Sequence, residues 1–109
     1  MARCNKTNYR EDGFVWFDDQ ISEMADLLVT VQGIKFIYFK RRDRSWIYRI
    51  GDDVMRFALI HMTETQIRMI ELLLFEDKTV TDVHIEMNLT ITEIRMEIRK
   101  MRKLLVAAM

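Results

Sequence analysis

The chain has 109 residues, half of them hydrophobic, which is enough for one core and leaves little room for a second independent domain. Seventeen basic and seventeen acidic side chains cancel, so no overall field draws the protein to nucleic acid or to anionic lipid, and any such binding must come from local segregation of charge. Cys4 is the single cysteine, which excludes an internal disulfide, and no uncharged run approaches the ~20 residues of a membrane span. The N-terminus, with Arg3, Asn5, Lys6 and Asn8, lacks the apolar region of a signal peptide, so the expected compartment is the cytoplasm.

Proline is absent and only Gly13, Gly33 and Gly51 punctuate the sequence, so element boundaries come from capping residues and changes of apolar period. Met1 to Asp12 reads as a polar, loose terminus. "FVWF" at residues 14–17 is an aromatic anchor, after which Asp18 or Asp19 caps a helix bearing Ile21, Met24, Leu27, Leu28 and Val31, stopped by Gly33. "IKFIYFK" and "SWIYRI" are dense in isoleucine and aromatic residues and read as two strands joined at "RRDR", a hairpin tip. Gly51, Asp52 and Asp53 form a second turn. "VMRFALI" then reads as a third antiparallel strand, with a helix start as the alternative. Residues 1–61 are thus expected to be a helix plus a small β-meander, a dimerisation or partner-docking extension.

Residues 62–109 carry a sharper signal. Thr63 with Gln66, Thr79 with Asp82 and Thr90 with Glu93 each place a hydroxyl three residues before a side chain that can reach back, as a capping box requires. Three starts predict three helices. The first carries Ile67, Ile70, Leu73 and Leu74; the second carries Val83 and Met87; the third carries Ile91, Ile94, Ile98, Met101 and Leu105 on one regular face. A short helix, a tight turn at Asn88 and Leu89, and a longer basic helix follow the helix-turn-helix order. The expected fold class is therefore α+β, with a C-terminal tri-helical unit.

On these residues Met62 to Leu105 resemble the DNA-binding domain of LuxR/GerE-type bacterial transcription regulators, and more distantly the fourth region of sigma factors. The family's leucine-threonine opening and its "ELL" are echoed by Met62, Thr63, Glu71, Leu72 and Leu73. Its cap, acidic-aliphatic pair and buried leucine fall on Thr79, Asp82, Val83 and Met87, and its turn serine and first recognition-helix valine on Thr90 and Ile94. His84 replaces the alanine expected at the close helix contact, and "FEDK" is one residue longer than the family's loop and lacks its glycine. After "LVAAM" there is no counterpart of the fourth helix through which these regulators dimerise, so homodimerisation is expected of the N-terminal half.

The resemblance implies a DNA-binding transcriptional regulator acting on double-stranded DNA. Groove-facing positions correspond to Thr92, Arg95, Met96, Arg99 and Lys100, with Thr90 as the cap, Thr79 positioning the second helix and Thr81 near a phosphate. Charge supports this independently: Arg95, Arg99, Lys100, Arg102 and Lys103 oppose only Glu97 after Ile94, and such cations neutralise phosphates and release counterions. Arg41, Arg42 and Arg44 at the hairpin tip are further phosphate candidates. The alternative is a solvated basic face, since cations near a helix C-terminus also suit the macrodipole. His61 to Met109 carries seven basic against eight acidic residues, which favours a protein-docking adaptor for RNA polymerase or a sigma factor as the second reading.

Trp16, Trp46, Tyr38 and Tyr48 could stack bases, but aromatic residues in strands more often form core. The methionines fill gaps between segments. His61 and His84 have no acid or thiol neighbours at metal-ligand spacing, no glycine-rich phosphate loop is present, and no nucleophile precedes a credible base. No metal, no cofactor and no enzymatic activity are expected.

Overall fold

A computed structural model describes residues 9–28 and 31–108, with side chains for 16–28 and 33–108. The expectation of a loose terminus lies outside the described residues as far as residue 8, as do Cys4 and the side chain of Val31, and from Tyr9 to Asp12 it is corrected, since the backbone there is already helical. Helix α1 spans Tyr9–Leu27 and α2 spans Val31–Arg41; a 3₁₀ segment, Arg44–Arg49, leads to α3, Asp53–Ile60. Helix α4, Glu64–Ile70, runs on into a π-helical turn, Glu71–Phe75, followed by α5, Val80–Met87, and α6, Ile91–Ala107.

The fold is all-α among the described residues, which corrects the expected β-meander. The residue types suit strands, yet their spacing serves helices: Ile34 and Tyr38 are buried one turn apart on α2, and Met55 and Leu59 one turn apart on α3. Tertiary burial of those pairs overrides the preference of β-branched and aromatic residues. At the expected hairpin tip, Arg42 takes a left-handed conformation (φ 56°) that ends α2, and Asp43 accepts from the Ser45 amide to start the 3₁₀ turn. Asp52 caps α3 by accepting from the Met55 amide at 2.8 Å. Asp18 and Asp19 fall inside α1, and Gly33 falls inside α2, so neither is the boundary their residue types suggest.

All three capping boxes form. Thr63, Thr79 and Thr90 each accept from the N3 amide at 3.1 Å, and Gln66, Asp82 and Glu93 return to the cap amide at 3.0, 3.0 and 2.8 Å. The loop after the π turn needs no glycine because Asp77 adopts the left-handed conformation (φ 55°), letting the Lys78 amide close back on the Leu72 carbonyl at 2.9 Å.

The α4–π segment is the centre of the molecule. From Gln66 to Phe75 every side chain is buried except Arg68, which is half-buried. A helix apolar on one stripe faces a core; this one is enclosed on all sides, with α1, α2 and α5 against its π turn and α6 against α4. Its only buried acid, Glu71, accepts from Trp46 Nε1 at 2.8 Å, pairs with Arg44 Nε at 2.9 Å and with Arg68 at 3.1 Å. Trp46 in turn stands edge-on to Phe75, ring centroids 4.8 Å apart. The same polar cluster continues outward: Arg68 donates to the Tyr38 hydroxyl at 2.9 Å, and Tyr38 donates to Glu76. The expected junction at residue 61 is thus crossed by the buried Glu71 carboxylate from one side and by Arg44 and Trp46 from the other.

Candidate nucleic-acid interface

Helix α5, a tight turn at Asn88 and Leu89, and helix α6 follow one another in the order expected of a helix-turn-helix. Val83 of α5 is fully buried, while Asn88 (φ 56°) ends α5 in the left-handed conformation that asparagine tolerates best after glycine. His84, expected at the close helix contact, is exposed instead. Its Nδ1 lies against the Leu89 carbonyl, which can only accept, so that nitrogen carries the proton and tethers the turn. Capping holds the Asp82 and Glu93 carboxyls below their ordinary range, through hydrogen bonds from the backbone and then the side chain of Thr79 and Thr90 respectively.

Helix α6 has four distinct sides, set by its 3.6-residue period. Ile94, Ile98, Met101 and Leu105 are completely buried, as the sequence stripe predicts, but Ile91 at its head stands partly in solvent. Arg95, Arg99 and Arg102 meet α1: Arg95 stacks over Trp16 at 4.9 Å and Phe17 at 5.7 Å, Arg99 approaches the same indole at 5.8 Å, and Arg102 donates to Glu23 at 2.7 Å. That bond pulls the Glu23 carboxyl below its ordinary range and raises Arg102. Thr92, Met96, Arg99, Lys100 and Lys103 remain exposed. On the fourth side Glu97 accepts from Gln66 at 3.0 Å and lies 3.8 Å from Lys100.

Of the groove-facing set, then, Thr92, Met96, Arg99 and Lys100 share an open surface with Lys103, and Arg95 is turned toward α1. Thr79 and Thr81 are exposed at the start of α5, and Thr90 is committed to its cap. Arg41, Arg42 and Arg44 do not join this surface. With no hairpin tip to display them, Arg41 lies 3.8 Å from Asp43, Arg42 packs over Tyr38 and Phe39 and faces Glu76 at 3.5 Å, and Arg44 grips Glu64 and Glu71. Trp46 and Tyr38 belong to the core, Tyr48 is exposed, and Trp16 is the half-buried stacking partner of α6.

Two hollows flank α6. Between it and α1, Trp16, Gln20, Arg99, Lys100, Arg102 and Lys103 line a cationic cleft of about 380 Å³. On the other side Lys100 and Lys103 border a more apolar groove toward α3. These two lysines are therefore the ridge between the hollows. The part played by Trp16 and Glu23 was not marked in the sequence, where only the aromatic anchor could be seen; nothing in a run of acids and aromatics says which later helix they meet. Among the described residues no three of the His, Cys, Asp and Glu side chains group as a metal would require, and no helix is long and apolar enough to cross a membrane.

Comparison of the chain with protein-family profiles, with curated proteins and with solved structures found no match.

Proposed function

We propose that the protein is a DNA-binding transcriptional regulator that reads double-stranded DNA with α6, works as a homodimer and acts in the cytoplasm. The observation that carries this reading is the open face of α6, where Thr92, Met96, Arg99, Lys100 and Lys103 stand in solvent beyond a capped helix-turn-helix. The LuxR/GerE-like order of caps and apolar positions agrees with it. Thr90 fixes the start of α6, Ile94 and Ile98 hold it to the core, and Arg99, Lys100 and Lys103 face phosphates and base edges. Arg95 orients the helix through Trp16 rather than touching DNA. A two-fold pair would select palindromic sites with half-sites about one helical turn apart.

A second reading has its own observation. Ile85 on α5 is 72% exposed and Met96 on α6 is 51% exposed, apolar surface that suits a protein partner such as RNA polymerase or a sigma factor better than a phosphate backbone. Fluorescence anisotropy with mixed duplex DNA over a salt series separates the two. A DNA reader loses affinity steeply with salt, and Arg99→Ala with Lys100→Ala lowers the slope of log K against log salt by about 2, one for each lost phosphate contact. No binding at low salt, or binding indifferent to the double substitution, removes the α6 face from DNA recognition and leaves the docking reading.

A further inference from the structure

The cleft between α1 and α6 has a second wall that the reading of DNA by α6 leaves unused. Arg99, Lys100, Arg102 and Lys103 line it from α6, and Trp16 and Gln20 line it from α1, around about 380 Å³. That volume lies in the range of small-ligand sites, about 300–1,000 Å³. No carboxylate is among the lining residues, although the chain carries as many acids as bases. Two acids reach these cations: Glu23 accepts from Arg102 at 2.7 Å, and Glu97 lies 3.8 Å from Lys100. Arg99 and Lys103 have no carboxylate within ion-pair distance among the described residues, so their charge is uncompensated.

The two guanidinium groups are also held in place before any ligand arrives. Arg99 lies over the Trp16 ring at 5.8 Å, and a guanidinium stacked on an indole keeps its in-plane N–H groups free for an oxyanion. Arg102 is fixed by Glu23 through one terminal nitrogen, while its Nε is buried without a hydrogen-bond partner. A buried donor without an acceptor is rare in a folded chain, and an oxyanion entering beside Arg102 supplies one. Gln20, half-buried on the opposite wall, adds an uncharged donor. A carboxylate offers two oxygens in one plane; a phosphate group offers more, arranged to meet donors that converge from two helices. We propose that this cleft is a phosphate seat, in which Arg99 and Arg102 fork the non-bridging oxygens, Lys103 balances their charge and Gln20 donates from α1. Where the phosphate belongs to a DNA backbone, the inference rests on the proposed function and extends its binding face onto α1. Where it belongs to a free phosphorylated compound, the seat competes with DNA for Arg99 and Lys103.

Titration of the full chain with inorganic pyrophosphate at constant ionic strength, followed by proton–nitrogen correlation NMR of the side chains, tests the seat without DNA. The chain has two tryptophans, Trp16 in the cleft and Trp46 in the core, so the second indole signal is an internal control. The expected result is a saturable shift of the Trp16 indole and Arg102 Nε signals with Trp46 unmoved. Gln20→Glu sets a charge of the wrong sign on the α1 wall without touching α6. It weakens pyrophosphate binding by at least about 10-fold while far-UV circular dichroism stays unchanged. A shift that never saturates, or a saturable one indifferent to Gln20→Glu, overturns the proposal. Anisotropy with duplex DNA then assigns the source. Duplex affinity that falls in Gln20→Glu makes the phosphate one of the DNA backbone, and duplex affinity left unchanged makes it that of a free compound. A chain that binds pyrophosphate but no duplex ends the DNA reading and keeps the seat, so the two failures are told apart.

Discussion

Two clusters of cationic side chains, one around α2 and the other along α6, look alike in sequence and end in opposite situations. Arg44 and Arg68 are met by Glu64, Glu71, Glu76 and Glu86, so their charge is consumed inside the fold, and the more solvated Arg42 lies over aromatic rings beside Glu76. Arg99 and Lys103 have no carboxylate within ion-pair distance among the described residues, and Lys100 reaches only Glu97, at 3.8 Å. A run of basic residues states how much charge is present; the supply of acids from other helices decides whether any is left for a partner. Arg68 illustrates the spent state: burial works against its charge, but hydrogen bonds to Tyr38 and Glu71 outweigh it and raise its pKa.

The most severe way to break the contrast is to remove the hub of the spent cluster. Glu71→Ala leaves Arg44, Arg68 and Trp46 Nε1 facing an unfilled site and lowers stability by about 3 kcal/mol in urea denaturation. A loss under about 1 kcal/mol would mean that the cluster is no more than a surface network. On the open cluster, Arg99→Ala with Lys100→Ala costs about 2 kcal/mol in duplex binding and leaves the urea midpoint in place. A matching drop in stability would put these residues in the structural class.

Between the clusters sits the cap that aims α6. Thr90→Ala costs about 1 kcal/mol of stability. It also moves Glu93 part of the way toward the ordinary carboxylate range, since the backbone amide of residue 90 still donates to the carboxyl, and an NMR titration of its side chain reads that shift directly. Because the folded-state pKa of Glu93 is depressed, its stabilising share is present above the unfolded pKa and disappears as pH falls through the folded one. The amide of residue 90 survives Thr90→Ala, so the gap between wild type and variant narrows on acidification only by the hydroxyl's smaller share, and a gap that widened would contradict the reciprocal cap. The smallest effect belongs to Arg42→Ala. Its guanidinium is mostly solvated and 3.5 Å from Glu76, so stability and DNA binding both stay within about 0.5 kcal/mol of wild type.

The same contrast explains what could be read without coordinates. The three hydroxyl caps are local chemistry, complete within four residues, and all three form where their spacing places them. The buried face of α6 follows equally from period alone, from Ile94 to Leu105. In residues 34–60 the local signals conflict: isoleucine, tyrosine and tryptophan favour strands, whereas the caps at Asp43 and Asp52 begin helical turns without a return partner three residues on. What settles that region is the placement of Tyr38 and Trp46 against the α4–π segment, a contact between distant parts of the chain. Once Val54–Ile60 is helical, Val54 and Phe57 leave the buried side set by Met55 and Leu59, and the groove toward α6 follows.

The π turn has a consequence for tolerance to change. Along α6 burial recurs every third or fourth residue, so a library of single substitutions would trace a helical rhythm of permitted and forbidden positions. Through Glu71, Leu72, Leu73, Leu74 and Phe75 the rhythm stops, because five neighbours in succession are enclosed. Such a library would show there an unbroken block in which polar replacements are refused at every position, a signature that neither an amphipathic helix nor a half-buried strand would leave.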